Sequence, residues 1–247
     1  MRILLICCFS IFFMKPLDFV FPSYWNRNIP LFLDCIYFLP KPHLLSITKN
    51  YFLEFNEIIH LLTKNRSIIC ELCSGNGDWI IDQAKKNNHY FWIAVERRLD
   101  RVKKIWSKKV NYSVENLLII YGEAFSFFSN FVLDNSFYKI FINFPDPWPK
   151  KKHIKNRLIN NSFVNEVDRI LVRQGFLSLI TDDLEFLDYS LMFLTKNLRP
   201  CFPKPYYIVQ EKFFGQSWFE ILWRNKGKKI YYSEFTKKKL LNANFGI

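Results

Sequence analysis

The sequence predicts an α/β fold, a mostly parallel twisted sheet with helices on both faces and an antiparallel pair at the C-terminal edge. Three observations carry this expectation. From Ser67 onward, short apolar runs alternate with segments of helical spacing, the pattern of strands joined by crossover helices. The first run ends in a loop bearing Gly75 and Gly77. Two later runs, near Tyr206–Glu211 and Lys229–Phe235, read as an antiparallel edge pair.

Element by element, Ser67–Leu72 reads as a buried strand, and Asp78–Asn88 as a helix with Trp79, Ile80 and Ala84 along one side. Tyr90–Val95 is a second strand, followed by a basic helix over Leu99–Lys109. Asn116–Tyr121 and Tyr138–Phe144 are the third and fourth strands. Beyond the loop Pro145–Arg157, Phe163, Val167, Ile170 and Leu171 stand at helical spacing, and Gly175 precedes a fifth strand, Phe176–Thr181. Residues 67–247 thus form the catalytic domain. Residues 14–66, rich in Pro, Phe, Tyr and Leu without clear periodicity, read as an N-terminal extension packed on it, with a helix at 51–63. Ile3–Phe13 is too short an apolar run to span a bilayer and lacks a small-residue cleavage site; we expect a mis-annotated start or short leader over 1–13, with Met14 as the true start.

Composition narrows the function. Half of the 247 residues are hydrophobic and 19% are aromatic, which excludes a disordered or fibrous chain. A net charge of +13 favours a polyanionic partner, since lysine and arginine displace counterions from phosphates. Cys7, Cys8, Cys35, Cys70, Cys73 and Cys201 show no disulfide spacing, so a reducing, cytoplasmic setting is expected. Cys70 and Cys73 form a C-x-x-C without a second ligand pair, and no metal is expected.

The chemistry lies at strand ends. Glu71-Leu72-Cys73-Ser74-Gly75-Asn76-Gly77-Asp78 follows the first strand, where the glycines let the backbone turn and approach a ligand. Glu96, at the end of the second strand, is placed to accept hydrogen bonds from ribose hydroxyls, and Glu123 follows the third strand near an adenine. Ile80 stands where a dinucleotide fingerprint has its third glycine, which disfavours a pyrophosphate. After the fourth strand comes Asn143-Phe144-Pro145-Asp146-Pro147-Trp148-Pro149-Lys150-Lys151-Lys152-His153. Its three prolines stiffen the loop that presents Asp146, Trp148 offers a stacking face, and the basic run suits RNA phosphates. The basic residues Arg97 to Lys109 read either as a solvated helix face or as an RNA-contact surface, and Lys237–Lys239 as a solubilising tail.

These motifs resemble the bacterial tRNA (guanine-N7)-methyltransferase family. The resemblance spans roughly residues 67–235 and includes Ala94–Glu96, Ile180-Thr181-Asp182, Ser217-Trp218-Phe219-Glu220 and Gly227–Tyr231. It implies a Rossmann-like class I methyltransferase fold and S-adenosylmethionine as cofactor. It also implies a cofactor site lined by Glu71, Gly75, Gly77, Glu96, Glu123 and Asp146. Lys150, Asp182, Ser217, Trp218, Phe219 and Glu220 would contact the target nucleotide. Cys73, Ser74, Glu123 and Ser217 depart from the usual family residues without removing a functional group.

Guanine N7 carries a lone pair and no proton, so no base is needed before it attacks a sulfonium methyl. The enzyme must align nucleophile, methyl and sulfur and exclude water. Positive charge passes to the imidazole ring, and Asp146 is the candidate catalytic carboxylate, either stabilising that charge or gripping the guanine edge. Competing readings are a methyltransferase acting on an exocyclic amine, a non-catalytic RNA-binding protein on the same scaffold, and, last, a nicotinamide dehydrogenase. The expected partner is tRNA, with no membrane, and the chain as a monomer or homodimer.

Overall fold

The computed structural model describes residues 13–25, 27–42, 51–215 and 217–238. Residues 1–12, most of the proposed leader, and Lys239 lie outside the described residues.

The parallel core is built from β3 (Ile68–Leu72), β4 (Phe91–Glu96), β5 (Leu117–Tyr121), β6 (Phe137–Asn143) and β7 (Leu171–Thr181). Every residue of β4 is buried, as expected of a strand covered on both faces. The strands are ordered β5-β4-β3-β6-β7, so the chain leaves β3 in one direction and returns to its other side at β6. This reversal is a topological switch point, and it opens a crevice at the carboxyl ends of the strands.

Two apolar layers sandwich the sheet. On one face, α1 (Tyr51–Thr63), α4 (Ala124–Phe131), α5 (Asn161–Ile170) and α6 (Leu184–Asn197) bury Phe55, Phe128, Phe163 and Phe186. On the other, α2 (Asp78–Lys86) and α3 (Leu99–Asn111) bury Trp79, Ile80, Ile105 and Trp106 together with Phe19 and Trp25 of the N-terminal segment. Local signals start several helices. Asn160 caps α5 by accepting from the Phe163 amide at 3.1 Å, and Asp183 caps α6 by accepting from the Phe186 amide at 2.8 Å.

The edges differ from the sequence expectation. Within the N-terminal extension, β1 (Leu31–Leu33) and β2 (Ile36–Phe38) form a hairpin, and β2 pairs in parallel with β5 through Ile36–Ile119 and Phe38–Tyr121. The extension therefore lengthens the sheet as well as packing on it, and Met14 anchors it by exchanging hydrogen bonds with Asn111 at 2.7 Å. Leu171, expected on a helix, instead opens β7: its amide still donates to the Val167 carbonyl oxygen and so closes α5, but its ψ of 137° turns the chain extended. Between Phe137–Leu171 and Lys139–Phe176 the register slips by three residues, forming a bulge that takes in Gly175. A Cβ at Gly175 would stand 3.0 Å from the Val172 carbonyl oxygen and 3.1 Å from that of Phe137.

At the C-terminal side, β10 (Tyr231–Lys237) runs antiparallel to β7, two residues later than expected. The strand expected at Tyr206–Glu211 shrinks to β9 (Ile208–Val209). A further strand, β8 (Leu198–Pro200), joins β9 in pairing with β10, so the edge is shared among three segments. Between β9 and β10 lies α7 (Trp218–Asn225).

Candidate active site

The loop from β3 to α2 is shaped by backbone torsions that few side chains tolerate. Gly75 and Gly77 have φ of 57° and 79°, and Gly77 begins α2. A Cβ at Gly77 would lie 2.8 Å from Ile105 Cγ1, so the packing of α3 as well as the torsion requires glycine. At Gly75 a Cβ would meet the Phe219 ring at 3.0 Å. Cys73 also adopts a left-handed φ of 60°, and burial pushes its thiol up to about 12, leaving it unreactive.

Glu96 fastens this loop to β4. Its Oε2 accepts from the Gly75 amide and its Oε1 from the Arg98 amide, both at 2.9 Å, with Arg101 at 3.7 Å. Burial raises its pKa, and the two amides and Arg101 oppose that rise. A carboxylate has about four acceptor sites, so ribose hydroxyls can still bind beside the two amides.

Glu71 is enclosed more completely. The Asn143 amide donates to its Oε1 at 2.7 Å, while Glu71 Oε2 and Asn143 Oδ1 are buried acceptors without a protein donor. Burial pushes the Glu71 carboxyl up to about 7, with the hydrogen bond from Asn143 opposing the rise and the charges of Glu96 and Asp78 adding to it. Two adjacent orphan acceptors suit a cationic donor such as a primary ammonium, the group an amino-acid cofactor would bring.

The proline loop after β6 is bracketed by Phe144 and Trp148, with φ of 48° and 45°. Such torsions cost roughly 1–3 kcal/mol each, so the surroundings must hold the loop in place. Asp146 is exposed and pairs with Arg97 Nη2 at 3.0 Å. Trp148 meets the His153 ring edge-on at 5.6 Å. Arg157 lies beneath the loop, its side chain 2% exposed.

These elements surround a cleft of about 530 Å³ at the carboxyl ends of the strands, a volume in the usual range for small-molecule sites. Glu96, Glu123, Asp146 and Phe219 of the expected residues line it, together with Arg97, Arg101, Trp148 and Arg157. Glu71, Ser217 and Trp218 border a separate, much smaller chamber, with Asn143, Ser74 and Trp79. Phe219 lines both and stands between them, with the Arg101 guanidinium 5.3 Å from its ring centre.

Three expected residues are engaged elsewhere. Glu220 is buried and accepts from the Phe214 and Gly215 amides at 2.7 and 3.2 Å, with Arg224 bonded to the same carboxylate. Ser217 caps α7 by accepting from the Glu220 amide at 3.1 Å. Asp182 pairs with Lys228. Lys150 is exposed and precedes the 3-10 turn Lys151–Asn156. The sequence reading missed Arg157 and placed Arg101 on a solvated or RNA-facing helix side; no spacing rule marks Arg157 against Glu185 or Arg101 against Phe219, which are remote in sequence. Among the described residues, no group of three or more His, Cys, Asp or Glu is arranged to hold a metal ion, and no helix is long and apolar enough to cross a membrane.

With this geometry in place, the comparisons with known proteins agree with one another. The profile of a family described as "Putative methyltransferase" matches residues 65–233. The tRNA (guanine-N(7)-)-methyltransferase of Chlamydia trachomatis serovar D is 45% identical over 230 residues, covering 91% of this chain and 99% of that protein. The protein of the same name from Chlamydia pneumoniae is 43% identical with the same coverage. One from Mycoplasma genitalium is 34% identical over 62% of this chain and 77% of its own length. Among solved structures, the 16S rRNA methyltransferase KamB superposes with a TM-score of 0.57 at 8% identity, covering 78% of this chain and 96% of that one, a likeness of fold alone.

Proposed function

The chain belongs to the tRNA (guanine-N7)-methyltransferase family, and from that premise we propose that it transfers a methyl group from S-adenosylmethionine to N7 of a guanine in tRNA, the target lying in the variable loop. The observation that carries this reading is the meeting of Glu96, Glu123 and Asp146 around one cleft at the switch point, with the orphan acceptors of Glu71 and Asn143 beside it.

The residues present fit the cofactor, which supplies the methyl group when bound. Glu96 and Glu123 take the adenosine, and Gly75 and Gly77 let it approach the backbone. Glu71 and Asn143 accept from the amino-acid ammonium. Asp146 lies at the cleft mouth, where a carboxylate lowers the energy of positive charge gathering on the guanine ring. Its pairing with Arg97 is solvent-exposed and therefore weak, so Asp146 can exchange that partner for the nucleotide. Trp148 offers a face for a base. Lys150, Lys151 and Lys152 meet phosphates, and Asp182 with the Ser217–Glu220 turn frames the target from the other side. The reaction takes place in the cytoplasm and uses no metal.

An exocyclic-amine methyltransferase is the weaker reading. There the strand-end Asn would face the reacting base, whereas Asn143 borders the small chamber and its amide donates to Glu71. The test supplies labelled S-adenosylmethionine with unmodified tRNA or with ribosomal RNA. Label entering tRNA in preference to ribosomal RNA is the expected result, and label entering ribosomal RNA alone would reject the substrate.

A further inference from the structure

The proline loop can do little to hold itself. Pro145, Pro147 and Pro149 have no amide proton, and Phe144 and Trp148 sit in the left-handed region. The loop must be fixed from outside, and one side chain is placed to do so. We infer that Arg157 is the positioning residue that sets the geometry of Asp146 and Trp148, acting through the backbone carbonyl between them.

Arg157 Nε donates to the Pro147 carbonyl oxygen at 2.8 Å, and Pro147 is the residue joining Asp146 to Trp148. The guanidinium is held from its other side. Nη2 donates to Glu185 Oε1 at 3.1 Å, and the Tyr189 and Phe186 ring centres lie 4.6 and 5.8 Å from its central carbon. Its own amide donates to the Ile154 carbonyl oxygen at 2.9 Å, ending the 3-10 turn that carries Lys151 and Lys152.

One buried fork thus joins the proline loop, the basic turn and the first turns of α6. Asp183 caps α6 and follows Asp182 directly, so the fork also links the two sides proposed to frame the nucleotide. Glu185 is 73% exposed, which makes that ion pair weak; the bond to Pro147 is the distinctive one. Lysine would keep the charge without the planar fork.

The inference rests on the proposed methyl transfer, and wild-type activity separates the two. If the wild-type chain makes no 7-methylguanosine in tRNA, the functional reading fails, and with it this role for Arg157. Given wild-type activity, Arg157→Lys should lower kcat about 100-fold, the effect of misplacing a reacting group by about an ångström, and leave KM for S-adenosylmethionine within about threefold. With 5-fluorotryptophan incorporated, the 19F resonance of Trp148, assigned by its loss in Trp148→Phe, should shift in Arg157→Lys. Glu185→Gln, which spares the Pro147 bond, should keep both kcat and that resonance near wild type.

A kcat for Arg157→Lys within threefold of wild type overturns the inference. So does a loss of kcat with an unmoved Trp148 resonance, or an equal loss in Glu185→Gln. Should Arg157→Lys not fold, 15N-arginine spectra of the wild-type chain decide the matter. A slowly exchanging Nε–H that changes in Pro147→Ala supports the bond, and its absence overturns it.

Discussion

Glu71 shows how much one enclosed side chain can set. Its carboxyl rises from 4.5 to about 7 because burial penalises the charged form more than the Asn143 hydrogen bond relieves it. A raised value means that folding binds a proton. The stabilisation is fully present below about pH 4.5 and is lost as pH rises through about 7, to an extent of about 3 kcal/mol at most. Glu71→Gln cannot titrate, so urea denaturation should show the variant gaining on wild type by about 2–3 kcal/mol between pH 4.5 and 7.5. A gap that stays constant over this range would contradict the assignment. Lys151 and Lys152 give a different residue-scale expectation. Replacing either with alanine should weaken tRNA binding uniformly and lower the slope of log K against log salt by about 1, measured by filter binding. The places of Glu96 and Asp146 at the cleft were legible at this scale because strand-end positions are read directly from the sequence. Arg157 was not, since an arginine means little until the fold brings Pro147, Glu185 and Tyr189 to it.

At the scale of elements, the parallel core was legible because buried strands read as unbroken apolar runs and the helices between them carry periodic faces. The helix at 51–63 appears at those bounds. The hairpin β1–β2 was not legible, since three-residue strands have no period to detect and owe their existence to pairing with β5. No expectation covered 124–131 and 184–197; there α4 packs on α1, α5 and Phe137 of β6, and α6 on α5, β7 and β10, context that overrides local signals. The turn from β3 to α2 allows a direct test. Gly77→Ala adds a methyl against Ile105 at a φ of 79°, so it should lower the unfolding free energy by at least about 1 kcal/mol. An unchanged denaturation midpoint would mean that α3 gives way without cost.

For the whole molecule, the topology places chemistry at one edge. Reversal of direction between β3 and β6 gathers the ends of β3, β4, β5 and β6 around the cleft, and the hairpin β1–β2 with β8, β9 and β10 extends the sheet away from it. Arg97, Arg101 and Lys155 line the same opening, and Lys150–Lys152 lie on the loop that bounds it, so positive charge stands where an RNA would meet the acidic interior. Within that opening Asp146 is proposed to act on the transition state, and its removal should affect turnover more than tRNA affinity. The most direct measurement is nucleoside mass analysis of unmodified tRNA after incubation with S-adenosylmethionine and either the wild-type chain or Asp146→Ala. The expected result is 7-methylguanosine with the wild type and a turnover lower by about 100-fold or more in the variant, at similar tRNA affinity. A different methylated nucleoside, or near-wild-type turnover in Asp146→Ala, would contradict the proposed reaction or the proposed catalytic carboxylate, respectively.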